Sequence, residues 1–159
     1  MSVVINNRGT VYRGFVQIVP AQPDVFSSTN DAGGTAVVCN ITNTAVSGCV
    51  MGPFQVTTAD STGTQVPTKL EIHLTGVRFA LPAEAKVTFV NGSTSTNVAA
   101  TSVRPNVNNF GHDLLDITLP STLAGSAPID YKIIVTVTRG TLVFTSRPVA
   151  TASQITINP

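Results

Sequence analysis

Tryptophan is absent from this 159-residue chain, and charge is scarce: 11% of residues are Asp, Glu, Lys or Arg, against about a quarter in an average domain. Nine basic and eight acidic side chains leave a formal net charge of +1, and the basic ones are scattered. Phosphate backbones are bound through clustered Lys and Arg, so neither nucleic acid nor an anionic membrane surface is an expected partner. Long apolar runs are missing too. The longest, around Ile133-Ile134-Val135, is interrupted by Thr136 and Thr138 and falls far short of the ~20 residues of a spanning helix. The first residues, Met1 to Arg8, lack a basic segment followed by an apolar stretch, so no secretory signal is expected, and Met1 favours cytosolic synthesis. Glu, Lys and Leu are too few to favour long helices.

What is present is Thr, Val, Ser, Ala and Asn in strand-like alternation. The clearest case is residues 69–75. Leu70, Ile72 and Leu74 alternate with Lys69, Glu71, His73 and Thr75, which puts three aliphatics on one face of an extended chain and four polar groups on the other. Gly76 marks a bend where a side chain would obstruct, and Phe79 is expected to return an aromatic to the core side. The same period recurs at Val87 and Phe89, at Leu115, Ile117 and Leu119, at Tyr131, Ile133, Val135 and Val137, at Leu142 and Phe144, and at Ile155 and Ile157. Turn residues punctuate these runs, with Asn91-Gly92 as a type I′ signal. Short strands separated by Gly, Pro and Asn turns predict an all-β antiparallel sandwich.

The N-terminal third is less regular. Val3-Val4-Ile5 and residues 11–19 read as extended, joined by a turn at Asn6-Asn7-Arg8-Gly9, which predicts a β-hairpin or pairing arm carrying Val3, Val4, Ile5, Tyr12 and Phe15. Tyr12, Phe15 and Phe26 read either as a binding surface or as core packed onto the sandwich. Residues 20–34 read as a long polar loop. Beyond it, Val37, Cys39 and Ile41 alternate before a turn leads to a second run over 46–51. Cys39 and Cys49 flank that turn. Two states are open to them: a disulfide closing a short loop, or two buried reduced thiols.

Few residues suggest chemistry. The carboxylates form no recognisable acid/base pair, although His112, Asp113 and Asp116 invite a metal or general-base reading. Against it, Asp116 occupies the outward phase of a strand, and Gly111-His112-Asp113 lies in a polar loop. His73 and His112 are not at ligand spacing with each other or with the cysteines. No Gly-x-Ser-x-Gly or phosphate-binding glycine loop occurs. Two sequons, at Asn40-Ile41-Thr42 and Asn91-Gly92-Ser93, are expected to go unused without a signal segment. Neither a cofactor, a metal nor an enzymatic activity is expected.

The order Leu70-x-Ile72-x-Leu74-x-Gly76-x-x-Phe79, then Ala85-Lys86-Val87-x-Phe89, Leu115-x-Ile117-x-Leu119-Pro120, Ile133-x-Val135-x-Val137 and Gly140 resembles the IPT/TIG immunoglobulin-like family over about residues 53–157. Where that family commonly carries a Pro and a double Gly before the organising strand, this chain has Asp60 and a single Gly63. The resemblance implies an immunoglobulin-like sandwich with a stacking, adhesive or scaffolding role, as in cell-surface and phage virion proteins, and transfers no active-site residue. Two parts are expected: an extension or assembly arm over 1–52 and an immunoglobulin-like body over 53–159. The expected role is a structural protein of a virion, such as a tailed-phage capsid decoration protein, made in the host cytoplasm and partnered by itself or a shell protein. The rival roles are an extracellular filament subunit held by donated strands and a carbohydrate-binding or adhesin module, which the lack of Trp disfavours.

Overall fold

In the computed structural model, which describes residues 2–15, 19, 21–29 and 33–159, the alternating aliphatics of 69–75 lie at the middle of a two-sheet sandwich. The strands are β1 (Ser2–Asn7), β2 (Thr10–Phe15), β3 (Asp24–Val25), β4 (Val38–Asn40), β5 (Thr57–Ala59), β6 (Gln65–Pro67) and β7 (Lys69–Thr75). Then follow β8 (Ala85–Asn91), β9 (Thr94–Ala99), β10 (Ser102–Pro105), β11 (Asp113–Thr118), β12 (Ile129–Arg139), β13 (Leu142–Thr145) and β14 (Gln154–Ile157). One sheet runs β10-β11-β7, and the far edge of β7 is shared by β3 on its C-terminal half and β4 on its N-terminal half. The other runs β9-β8-β12, with β14 and β13 dividing the remaining edge of the eleven-residue β12. All strand pairings in both sheets are antiparallel.

Period-two alternation explains the core. Leu70, Ile72 and Leu74 of β7 and Leu115 and Ile117 of β11 face Val87 and Phe89 of β8, Ile133, Val135 and Val137 of β12, and Ile155 and Ile157 of β14, all buried. Burying an aliphatic or aromatic side chain of this size contributes roughly 1.5–3 kcal/mol, so these two facing rows supply the main driving force for closure.

Residues before the expected boundary at 52 pack into the body. Ala21, Val25, Ala36 and Val38 belong to the same core as β7 and β12, and β3 and β4 are ladder partners of β7. A bare β7 edge would expose a row of unpaired backbone groups beside the most apolar strand, and these residues cover it. Farther along, Ala36 N–H donates to Gln154 O at 2.8 Å and Phe54 N–H to Thr156 O at 2.9 Å. Thus β14 is flanked in parallel by residues 35 and 54. Within the described residues, two hairpins stand as separate two-stranded sheets, β1-β2 and β5-β6; β5-β6 is tied to the body, with Thr58 Oγ1 2.7 Å from Thr68 Oγ1 and Thr68 N–H donating to Val56 O at 2.9 Å.

Three local expectations also change. Residues 46–51 form no strand; their ladder contact is a single bridge from Val50 to Asn40. The β8-β9 turn is one residue later than Asn91-Gly92: Asn91 pairs with Thr94, and the two-residue loop is Gly92-Ser93 with Gly92 at φ 56°. Phe79 is 76% exposed, whereas Val77 fills the core at 1%. The left-handed bend at Gly76 (φ 78°) shifts the phase of the chain, and Asp113 pins the shifted register by accepting from Val77 N–H and Arg78 N–H, each at 3.0 Å.

Candidate functional site

The hairpin is built around a two-residue turn. Arg8 and Gly9 both have positive φ (51° and 90°), the type I′ pattern whose twist matches that of the flanking strands. Asn6 Oδ1 accepts from Gly9 N–H at 3.0 Å and ties the turn to its first strand. In the register that results, Ile5 lies opposite Tyr12, Val4 opposite Arg13, and Asn6 opposite Val11. One face therefore carries Ile5 and Tyr12, and the other Val4 and Val11. All four are more than half exposed. Of the expected arm residues, Val3 and Phe15 are placed by their backbones, opposite Gly14 and Ser2, and their side chains lie outside the described residues. Among the described residues neither strand pairs with a third. A lone two-stranded ribbon is marginal in water, so the hairpin offers two open edges and two part-apolar faces to whatever completes it.

A second assembly of side chains covers the outer face of the β10-β11-β7 sheet. Here Cys39 of β4 is the register partner of Glu71, and Asp116 of β11 lies opposite Glu71 on the other side. Because alternate residues share a face, His73 and Arg104 join them. His73 Nε2 lies 3.0 Å from Glu71 Oε1 and 3.2 Å from Cys39 Sγ. Arg104 donates to Glu71 Oε2 and to Asp116 Oδ2, a forked grip that leaves the first Glu71 oxygen to His73. The His112 ring lies 4.8 Å from that of His73, tilted at 57°, and meets that of Phe26 at right angles at 4.9 Å. Burial above all, then the nearby His73 charge, hold His112 below the ordinary imidazole range, while Asp113 and Glu71 pull in the opposite direction.

Cys39 and Cys49 are joined in a disulfide. Of the two open states this is the bridged one, and in it Cys39 offers no thiolate. Cys39, Glu71 and His73 nonetheless place one ligand-type atom each within 4.8 Å of one another. Their spacing along the chain shows no ligand pattern, because the three meet only through the pairing of β4 with β7. Knowing that residues 38–40 lie beside 70–72 would have found them.

The other grouping considered, His112 with Asp113 and Asp116, is split by the sheet. Asp113 is buried and bound to Val77 N–H, Arg78 N–H and Arg78 Nε, the last at 3.0 Å, while Asp116 points outward to Arg104. Asp113 thus acts as a pin between the loop at 76–80 and β11. Phe26 is 38% exposed, with its edge against His112. No protein-family model, curated protein or solved structure matches this chain.

Proposed function

We propose that this protein is a structural subunit of a virion, a decoration or other surface protein of a tailed-phage capsid, that assembles through its N-terminal hairpin onto a neighbouring copy or a shell protein. The observation that carries the reading is the hairpin itself: a formed I′ ribbon with exposed Val4, Ile5, Val11 and Tyr12 and no third strand among the described residues. Such a ribbon gains most by adding to an open sheet edge, where backbone hydrogen bonds supply affinity without charged side chains. That suits a chain with 11% charged residues. The immunoglobulin-like resemblance of residues 53–157 supports a stacking role, and the protein acts in this reading without catalysis, cofactor, nucleic acid or membrane.

Removal of residues 1–19 is the test. The shortened chain is expected to keep its β-rich circular dichroism and cooperative unfolding while losing self-assembly or shell binding in sedimentation and electron microscopy. Assembly that survives the deletion refutes the arm. Fibres formed by the intact protein alone would instead indicate an extracellular filament subunit, and specific glycan binding an adhesin.

A further inference from the structure

We propose that reduction of the Cys39–Cys49 disulfide creates a binding site for a thiophilic divalent cation of the zinc class, with Cys39, Cys49, Glu71 and His73 as its four ligands. Three of the four donors are already placed by two adjacent strands. Bonds of ~2.3 Å to sulfur and ~2.0–2.1 Å to nitrogen or oxygen around a tetrahedral zinc ion put S and N about 3.6 Å apart, and N and O about 3.4 Å apart. Observed separations are 3.2 Å for Cys39 Sγ to His73 Nε2 and 3.0 Å for His73 Nε2 to Glu71 Oε1. These two need to open by only about 0.4 Å to fit those bond lengths, while Cys39 Sγ and Glu71 lie within 4.8 Å of each other. The fourth donor, Cys49, sits on an exposed irregular segment after the turn at 44–45, so its sulfur can move away from Cys39 once the bond between them is cut.

Charge and the surrounding groups agree with this assignment. Two thiolates and a carboxylate carry three negative charges, a divalent cation leaves one, and Arg104, shared with Asp116, donates to the far oxygen of Glu71. Hydrogen bonding of a ligating carboxylate by an outer group is the usual support of a metal site. Cys39 is 3% exposed, so a free thiolate there would be costly, and a bound cation relieves that cost. Two sulfurs with one imidazole and one carboxylate favour zinc over magnesium or calcium, which take oxygen ligands. Oxidised, the same sulfurs are neutral and bonded to each other. The pair therefore exchanges one cross-link between β4 and the following loop for another, according to redox poise.

The full-length protein is reduced with a water-soluble phosphine, which becomes its phosphine oxide as water supplies the oxygen and the two protons that leave two thiols. Cobalt(II) is then titrated as the probe, followed by zinc. Binding of one equivalent is expected, with thiolate-to-cobalt charge-transfer and tetrahedral d–d bands, release of thiol protons, displacement by zinc, and a zinc-dependent rise in the unfolding temperature. The oxidised protein should show none of these. His73→Ala should weaken cobalt binding by more than the about 10–100-fold typical of losing an outer-sphere partner, and Cys49→Ser should reduce the charge-transfer intensity to that of one thiolate. Glu71→Gln, which retains an amide for Arg104 to meet, serves as a second ligand variant should His73→Ala unfold. Equal binding by oxidised and reduced protein, or variants that bind like the parent, would overturn the site. The result is independent of the hairpin, since β1 and β2 contribute no ligand.

Discussion

At the scale of single residues, Gly76 has the sharpest requirement. Its φ of 78° is left-handed, and a Cβ built there would lie 1.8 Å from the carbonyl oxygen of Gln22, whose N–H donates back to Gly76 O at 3.0 Å. Backbone cannot swing aside as a side chain can. Gly76→Ala is therefore expected to cost at least about 2–3 kcal/mol, combining positive-φ strain with displacement of the strand that begins at Asp24. A shift of the urea midpoint at unchanged slope would measure it, and a midpoint equal to the parent's would refute the close approach. The need for a glycine was legible in the sequence. Its consequence for Phe79 was not, because a phase reversal at a bend depends on the carboxylate of Asp113, a partner 36 or so positions downstream.

Among the elements, the connection between β10 and β11 is expected to make stability depend on pH near neutrality. It lays His112 over His73 and against Phe26, with Asp113 and Glu71 as the nearby acidic groups. Since the imidazole is held below its ordinary value of 6.5 in the fold, the unfolded chain binds the proton more readily. Stability from this group is complete above that ordinary value and declines as pH falls from there toward the lowered folded value. Denaturation midpoints at pH 7.5 and 5.5 should therefore differ, with the lower pH less stable, and His112→Gln should reduce the difference. A dependence unchanged by that substitution would assign it elsewhere. Strands β7, β8 and β11 were legible from period-two alternation alone, since each buries one face, and β12 showed the same phase at Tyr131, Ile133, Val135 and Val137 although the fold also covers Ile134 and Thr136 on its other face. The pairing of β3 and β4 on β7 was not, because two- and three-residue strands carry too few residues to show a period.

For the whole molecule, the position of the boundary decides which pieces can fold. The composition and the punctuation by turns specified an all-β sandwich, but a weak pattern in residues 21–50 hid the fact that they complete its core. Deleting 1–19 spares Ala21, Val25, Ala36 and Val38; starting at residue 53 removes all four together with both partners of one β7 edge. A chain beginning at residue 53 is accordingly expected to lack cooperative unfolding and to aggregate through that exposed edge. Sharp amide dispersion and a cooperative melt from the 53–159 piece would instead uphold the two-part division.

The seam at β14 has a kinetic meaning. Residues 35 and 54 wait, from early in synthesis, for residues 154 and 157 to arrive beside them. Pairings so distant along the polypeptide are slow to find, because the loop must close before any contact rewards it. A nascent chain emerging from the ribosome leaves the segments around residues 35 and 54 without these neighbours until residues 154–157 are released, and any partner that captures it sooner meets an unfinished protein.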